Sequence, residues 1–148
     1  MPYDRRERGS GGNDHAREDH ALGRRGERRA ARFLARRGFR MAARRLRLPP
    51  GEIDLLAVDG DTVVVVEVKS GRDTPFAELA ARLGPAQRRR LARVAAWLER
   101  RPDLRRRAVR VDLVLVCFGR WPRSSVEHRR DEIRAAEDGF HGNAGSIR

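Results

Sequence analysis

The sequence predicts an α/β domain, and three stretches carry that reading. Gly51 to Ser70, GEIDLLAVDGDTVVVVEVKS, reads as two β-strands joined by a tight turn. The second of these strands holds four consecutive valines, Val63 to Val66, and such a run marks a strand buried on both faces in the middle of a sheet. Further on, Leu91, Val94, Ala95 and Leu98 repeat at helical spacing, and Val109 to Phe118, VRVDLVLVCF, follows as another apolar strand.

Taken in order, residues 1–23 mix glycine, charge and histidine without periodicity and are expected to form a disordered tail, with His15 and His20 solvated. From Arg24 to Arg37, Ala30, Phe33 and Leu34 make a narrow apolar stripe that predicts a helix, and Gly38 stops it. Glu27 lies on the stripe side. It is either a first-turn acid favoured by the helix dipole or a group that projects toward the sheet. The arginines on the other faces of this helix read as a solvated basic surface. Phe39 to Leu48 alternates, with Arg45 and Arg47 on one face and Leu46 and Leu48 on the other, which fits a first strand ended by Pro49-Pro50-Gly51.

Ile53 to Val58 and Thr62 to Lys69 are then the strands on either side of Asp59-Gly60-Asp61, strong turn chemistry. Ser70 to Pro75 reads as a loop, Phe76 to Leu83 as a short helix, and Gly84-Pro85 as the start of a longer one. Gln87, Arg88, Arg89, Arg90 and Arg93 crowd the N-terminal half of that helix. A basic helix start opposes the dipole, which slightly favours a phosphate-facing role for the group, while any single arginine of it reads first as part of a solvated face. Asp112 interrupts the strand of Val109 to Phe118 on the face of Arg110 and Val114, and a local ion pair is expected there. Trp121-Pro122-Arg123 is a loop, Val126-Glu127-His128 a short edge strand without chemistry at His128, and Asp131 to Asp138 a last helical turn or two. The folded domain is expected over residues 24–140, with 141–148 a second tail.

The end of the valine strand is where chemistry is expected. Ionisable groups there are costly to bury unless they are paired or bind something. Side chains alternate along a strand, so Glu67 and Lys69 share one face and Val68 takes the other. A two-residue loop of Gly60-Asp61 sets Asp54 opposite Glu67, and a loop of Asp59-Gly60 sets it one diagonal away on the same face. A three-residue loop would send Asp54 to the other face. Lys69 is also the only lysine among 34 basic residues, the rest being arginine. Lysine offers a compact charge with a tunable pKa, which a guanidinium does not.

Composition narrows the partner. The net charge is +13 and the pI about 11.6, which points to a polyanion. Residues 1–23 hold four arginines against five acids, so the excess sits in the body of the chain. Cys117 is the only cysteine, which excludes an internal disulfide and a cysteine metal site; it reads as a small buried hydrophobe. Without a signal-peptide core or a run of about eighteen apolar residues, a cytoplasmic, non-membrane protein is expected. A Gly-rich phosphate loop is missing, and few aromatics are placed for base stacking.

Gly26-Glu27 on a helix, Gly51-Glu52-Ile53-Asp54-Leu55 and Val66-Glu67-Val68-Lys69 together resemble the YraN-like family of small bacterial proteins. That family is similar to the PD-(D/E)XK nuclease superfamily, in particular to Holliday-junction resolvase-type folds. The resemblance covers roughly residues 24–140 in order and spacing. It implies a restriction-endonuclease-like core, with a central mixed sheet flanked by helices. It assigns Asp54 and Glu67 as metal ligands, Lys69 as the catalytic lysine and Glu27 as an accessory acid. Ile53 stands where the superfamily pattern has proline, which is not a ligand. Gln87 matches a helix position that helps metal or phosphate binding in some relatives. The ion implied is Mg²⁺ or Mn²⁺, held by two carboxylates and a backbone carbonyl such as that of Val68. The function implied is a metal-dependent, structure-selective endonuclease acting on nucleic acid, DNA in the first instance, with a role in repair or recombination. The alternative is a nucleic-acid-binding protein that keeps the fold without cutting. Resolvase-type relatives leave room for a homodimer, although no segment marks its interface.

Overall fold

A computed structural model describes residues 11–104, 107–119 and 123–133. Helix α1 (Gly11–Arg36) leads into strands β1 (Arg40–Leu48), β2 (Gly51–Asp59) and β3 (Thr62–Arg72). Helices α2 (Phe76–Ala81) and α3 (Pro85–Glu99), a 3₁₀ turn (Pro102–Leu104), and strands β4 (Val109–Phe118) and β5 (Ser124–Ile133) complete the described chain. The sheet runs β1-β2-β3-β4-β5. Only β3 and β4 are parallel; the other neighbours are antiparallel. This is the expected α/β class, a five-stranded mixed sheet flanked by helices and consistent with a restriction-endonuclease-like core.

The valine run decides the layering. Val63 to Val66 are buried in the central strand, as an unbroken β-branched stretch requires. Val64 and Val66 join Ala30, Ala31 and Leu34 of α1 in one core, while Val65 joins Leu79 of α2 and the Leu91, Val94, Ala95 and Leu98 stripe of α3 in the other. Helix α1 therefore covers one face of the sheet, and α2 and α3 cover the opposite face. Gly26 lets α1 approach β3 closely, since a Cβ there would lie 2.5 Å from Ser70 Oγ.

Several boundaries move from the sequence expectation. Residues 11–23 belong to α1 and are not a disordered tail. Helix extension is cooperative, so the packed part of α1, which begins at Leu22 against the core, carries the exposed turns before it. Residues 1–10 and 141–148, the remaining tail assignments, lie outside the described residues. Ser70, Gly71 and Arg72 are strand, because the parallel register with β4 continues to Arg72↔Phe118. Asp131 to Ile133 are the end of β5 and not a helical turn; Asp131 takes a positive φ of 54° at the irregularity opposite Val111–Leu113. Residues 134–138 of that expectation lie outside the described residues. Cys117 is half-buried and not fully enclosed.

Candidate functional site

The β2–β3 hairpin turns through Gly60-Asp61, with Asp59 paired to Thr62, the loop that sets Asp54 opposite Glu67. Gly60 has φ +60°, the left-handed geometry such a turn demands. The ladder then counts Leu56↔Val65 and Leu55↔Val66, so Asp54 comes just beyond the last β2–β3 pair, beside Glu67. Pairing stops there for a structural reason. Ile53 and Leu55 lie two residues apart but pack into opposite cores, which a regular strand does not allow. The face changes at Asp54. Its neighbour across β1 is Arg45, which sits between the pairs Arg44↔Leu55 and Leu46↔Ile53 and holds a positive φ of 47°. Strain of this kind in a non-glycine residue gathers at functional sites.

Where the ladder opens, the Asp54 carboxylate replaces a backbone acceptor. The Val68 N–H donates to Asp54 Oδ2 at 2.8 Å. The carbonyl of a strand residue points to the same side as its N–H, so the Val68 oxygen belongs to the same edge of β3 as that N–H. Glu67 is buried, on the Val65 face, and its Oε1 lies 3.3 Å from Lys69 Nζ. Burial pushes the Asp54 carboxyl up to about 7, and the neighbouring Glu67 charge pushes in the same direction. The Val68 N–H opposes that rise, and Glu27 adds to it more weakly. Two carboxylates thus meet in a half-dry corner of the sheet, with the Lys69 ammonium paired to Glu67.

Glu27 reaches this corner from α1. It stands far inside the helix, so the first-turn reading does not apply. Its Oε2 accepts from Arg45 Nε at 3.0 Å, and both residues line a cavity of about 280 Å³ together with His20, Arg24 and Glu52. Asp54, Glu67 and Lys69 are therefore brought together, with Glu27 beside them and held by Arg45, a contributor the sequence did not mark.

The α3 group divides. Arg89 and Arg93 are exposed. Arg88 lies 3.8 Å from Glu132 of β5. Arg90 folds back over the start of β2, where a Cβ on Gly51 would come 2.6 Å from its Cδ. Gln87 Oε1 and Arg90 Nε are buried without a hydrogen-bond partner among the described residues. Buried polar atoms left in this state are uncommon and call for a ligand or water.

A hard divalent cation fits this donor set. Among the described residues no three carboxylate, histidine or cysteine side chains form a metal cluster by themselves. The available oxygens are those of Asp54, Glu67 and the Val68 carbonyl, and a Mg²⁺-type ion accepts two carboxylates and keeps several waters. Burial is the main cause of the raised Asp54 pKa, and a cation between the two carboxylates would relieve the further rise that comes from the Glu67 charge.

The fold and site define a mixed-sheet α/β domain with a half-buried aspartate beside a buried glutamate and an adjacent lysine. Residues 26–116, more than half of the chain, match the model described as "Uncharacterised protein family UPF0102", and the chain belongs to that family. A "UPF0102 protein" of Beutenbergia cavernae is 43% identical over 113 residues, covering 74% of this chain and 93% of the relative. One from Streptomyces griseus subsp. griseus is 43% identical over 111 residues, with 74% and 93% covered. One from Chelativorans sp. is 47% identical over 100 residues, with 68% and 80% covered. No helix among the described residues is long and apolar enough to cross a membrane.

Proposed function

We propose that this protein is a metal-dependent endonuclease that hydrolyses nucleic-acid phosphodiester bonds at Asp54, Glu67 and Lys69. The observation that carries the reading is the placement of half-buried Asp54 beside buried Glu67, whose Oε1 lies 3.3 Å from Lys69 Nζ. Burial and the Glu67 charge push Asp54 up to about 7. Carboxylates arranged this way are under-neutralised, and perturbed groups of this kind gather at functional sites. Asp54, Glu67 and the Val68 carbonyl would hold Mg²⁺ or Mn²⁺, which supplies Lewis-acid charge to the phosphate and lowers the pKa of water. Lys69, 3.3 Å from Glu67, would stabilise charge that grows on phosphate oxygens in the transition state. Glu27, held by Arg45, tunes Asp54 by its charge. The net charge of +13 supports a polyanionic substrate, with Arg89 and Arg93 free to meet flanking phosphates.

A second reading has its own support. The ammonium of Lys69 already neutralises part of Glu67, so a nucleic-acid-binding protein that keeps the fold without cutting is the rival. The experiment is a cleavage assay on duplex, single-stranded, flapped and four-way-junction DNA with Mg²⁺ or Mn²⁺ at low salt. Metal-dependent products, lost in Asp54→Ala and Lys69→Ala, are expected. Salt-sensitive binding without products would favour the rival, and absence of binding would defeat both.

A further inference from the structure

Helix α1 carries a second line of charge on the flank away from Glu27. Arg25, Arg28, Arg29, Arg32 and Arg36 recur at helical spacing, and together with Arg123 they line a cavity of about 630 Å³. Its other walls come from the end of β4 and the start of β5, at Phe118 and Ser124. Among the described residues, none of these six guanidinium groups has a carboxylate within ion-pair distance.

Two of the six are already oriented. The Arg25 guanidinium lies 4.6 Å over the Phe118 ring, and Arg29 Nε donates to Ser124 Oγ at 2.9 Å. Arg28, Arg32, Arg36 and Arg123 remain exposed. Like charges at helical i, i+4 spacing destabilise a helix by a few tenths of a kcal/mol per pair, and Arg25/Arg29, Arg28/Arg32 and Arg32/Arg36 are three such pairs. Among the described residues no carboxylate in the cavity wall relieves them. A ligand with several negative charges in a row does.

The span selects that ligand. From Arg25 to Arg36 the helix rises about 17 Å at ~1.5 Å per residue. A duplex strand presents one phosphate per ~3.4 Å of axis, so this length runs alongside about five phosphates. The guanidinium fork suits phosphate oxygens. Among the described residues Phe118 is the one aromatic ring in the wall and Arg25 already covers it, which favours backbone over base contacts.

We propose that this groove binds the sugar–phosphate backbone of nucleic acid, as a binding surface separate from the α3 arginines. The inference rests on the proposed function only in taking nucleic acid as the partner; it does not need the chain to cut. The test measures binding of a short DNA duplex to the full-length chain by fluorescence anisotropy, without divalent metal, over a salt series. The R28Q/R32Q/R36Q/R123Q variant is expected to lose at least about tenfold in affinity at low salt. The slope of log affinity against log salt should fall by roughly 0.9 for each phosphate that the variant no longer neutralises. Circular dichroism establishes whether the variant folds. If it does not, the single variants Arg32→Gln and Arg36→Gln should each lower the slope by the share of about one phosphate. Wild-type affinity and slope in these variants would overturn the proposal, as would variant-sensitive binding of inorganic polyphosphate or anionic vesicles with DNA binding unchanged. Loss of DNA binding in the variant, with no cleavage by the wild type, upholds the groove while the nuclease reading fails. Cleavage by the wild type with unchanged binding in the variant overturns the groove alone.

Discussion

Asp54 and Asp112 are both acids placed on strands of one sheet, and their surroundings are opposite. Asp112 is fully buried on the α1 face, alternating with Val114 and Val116. It is over-supplied with donors: His128 Nε2 lies 2.7 Å from Oδ2, and Arg110 Nε and the Asp131 N–H each donate to Oδ1 at 3.0 Å. His128 is fixed edge-on against Phe33 and Phe39, and Arg110 also bridges to Asp59. Burial pushes the Asp112 carboxyl up, but the bonds from His128, Arg110 and the Asp131 N–H outweigh it and hold the group below the usual range. Asp54 has one N–H donor and a neighbouring glutamate, and it rises to about 7. A buried acid with this many donors holds the fold together, whereas Asp54, half-buried with a single N–H donor, is the carboxylate on which the proposed cation site depends.

The largest effect expected from this contrast is at Asp112. Asp112→Ala strands His128 and Arg110 without their partner, and breaking such a buried pair costs about 3–5 kcal/mol; denaturant unfolding measures it. The folded value of Asp112 lies below its unfolded one, so its stabilisation is present above the ordinary carboxylate range and lost as pH falls through the lower folded value. Asp112→Asn should remove that acid-side loss, which a pH series of melting curves would reveal.

Lys69→Ala comes next. It leaves Glu67 buried without its cation, at a cost of about 1–3 kcal/mol, and it should abolish metal-dependent cleavage. A variant that melts early but still cuts would separate the lysine's structural role from its proposed chemical one.

Asp54→Asn should act in the opposite sense. The folded value of Asp54 is raised, so its favourable contribution is present at acid pH, below the unfolded value, and is lost as pH rises through about 7. Asparagine keeps an acceptor for the Val68 N–H and removes the charge. The variant should therefore lose the fall in stability between acid and neutral pH, and above neutrality gain about 1–2 kcal/mol in melts without metal. A variant less stable than wild type above neutrality would mean that Asp54 is as well satisfied as Asp112.

Glu27→Gln is the smallest. Its pair with Arg45 is partly exposed, and such pairs contribute about 0–1 kcal/mol. Stability should barely move, while the Asp54 titration, followed by carboxyl NMR, should shift down slightly as one repelling charge is removed.

The hairpin that builds the site was readable in advance. Asp59-Gly60-Asp61 marks the turn, and period-two alternation carries the register back to Asp54 for either two-residue loop. The choice of Gly60-Asp61 came from the structure, as did the continuation of β3 past the lone lysine to Arg72. The long-range partners were not readable. An ion pair at Asp112 could be expected from a charge in an apolar strand, but His128 reaches it only because β5 runs ten residues along β4. The β5 sequence SSVEHRRDEI has too little alternation to announce that. Nothing in an arginine announces the positive φ of Arg45, a geometry that asparagine or glycine would have advertised. The arginines of α1 were visible as a basic face; that five of them close a groove with Arg123 depends on how α1 lies across β4 and β5.

The most direct test of the central contrast is a calorimetric titration of Mn²⁺ into the wild type and Asp54→Asn just below neutral pH, in buffers of different ionisation enthalpy. The wild type should bind the ion and release a fraction of a proton, because Asp54, at about 7, must ionise to become a ligand. Asp54→Asn should bind far more weakly and release none. Equal binding in the two proteins, or no binding to the wild type, would contradict the assignment of this corner as a cation site.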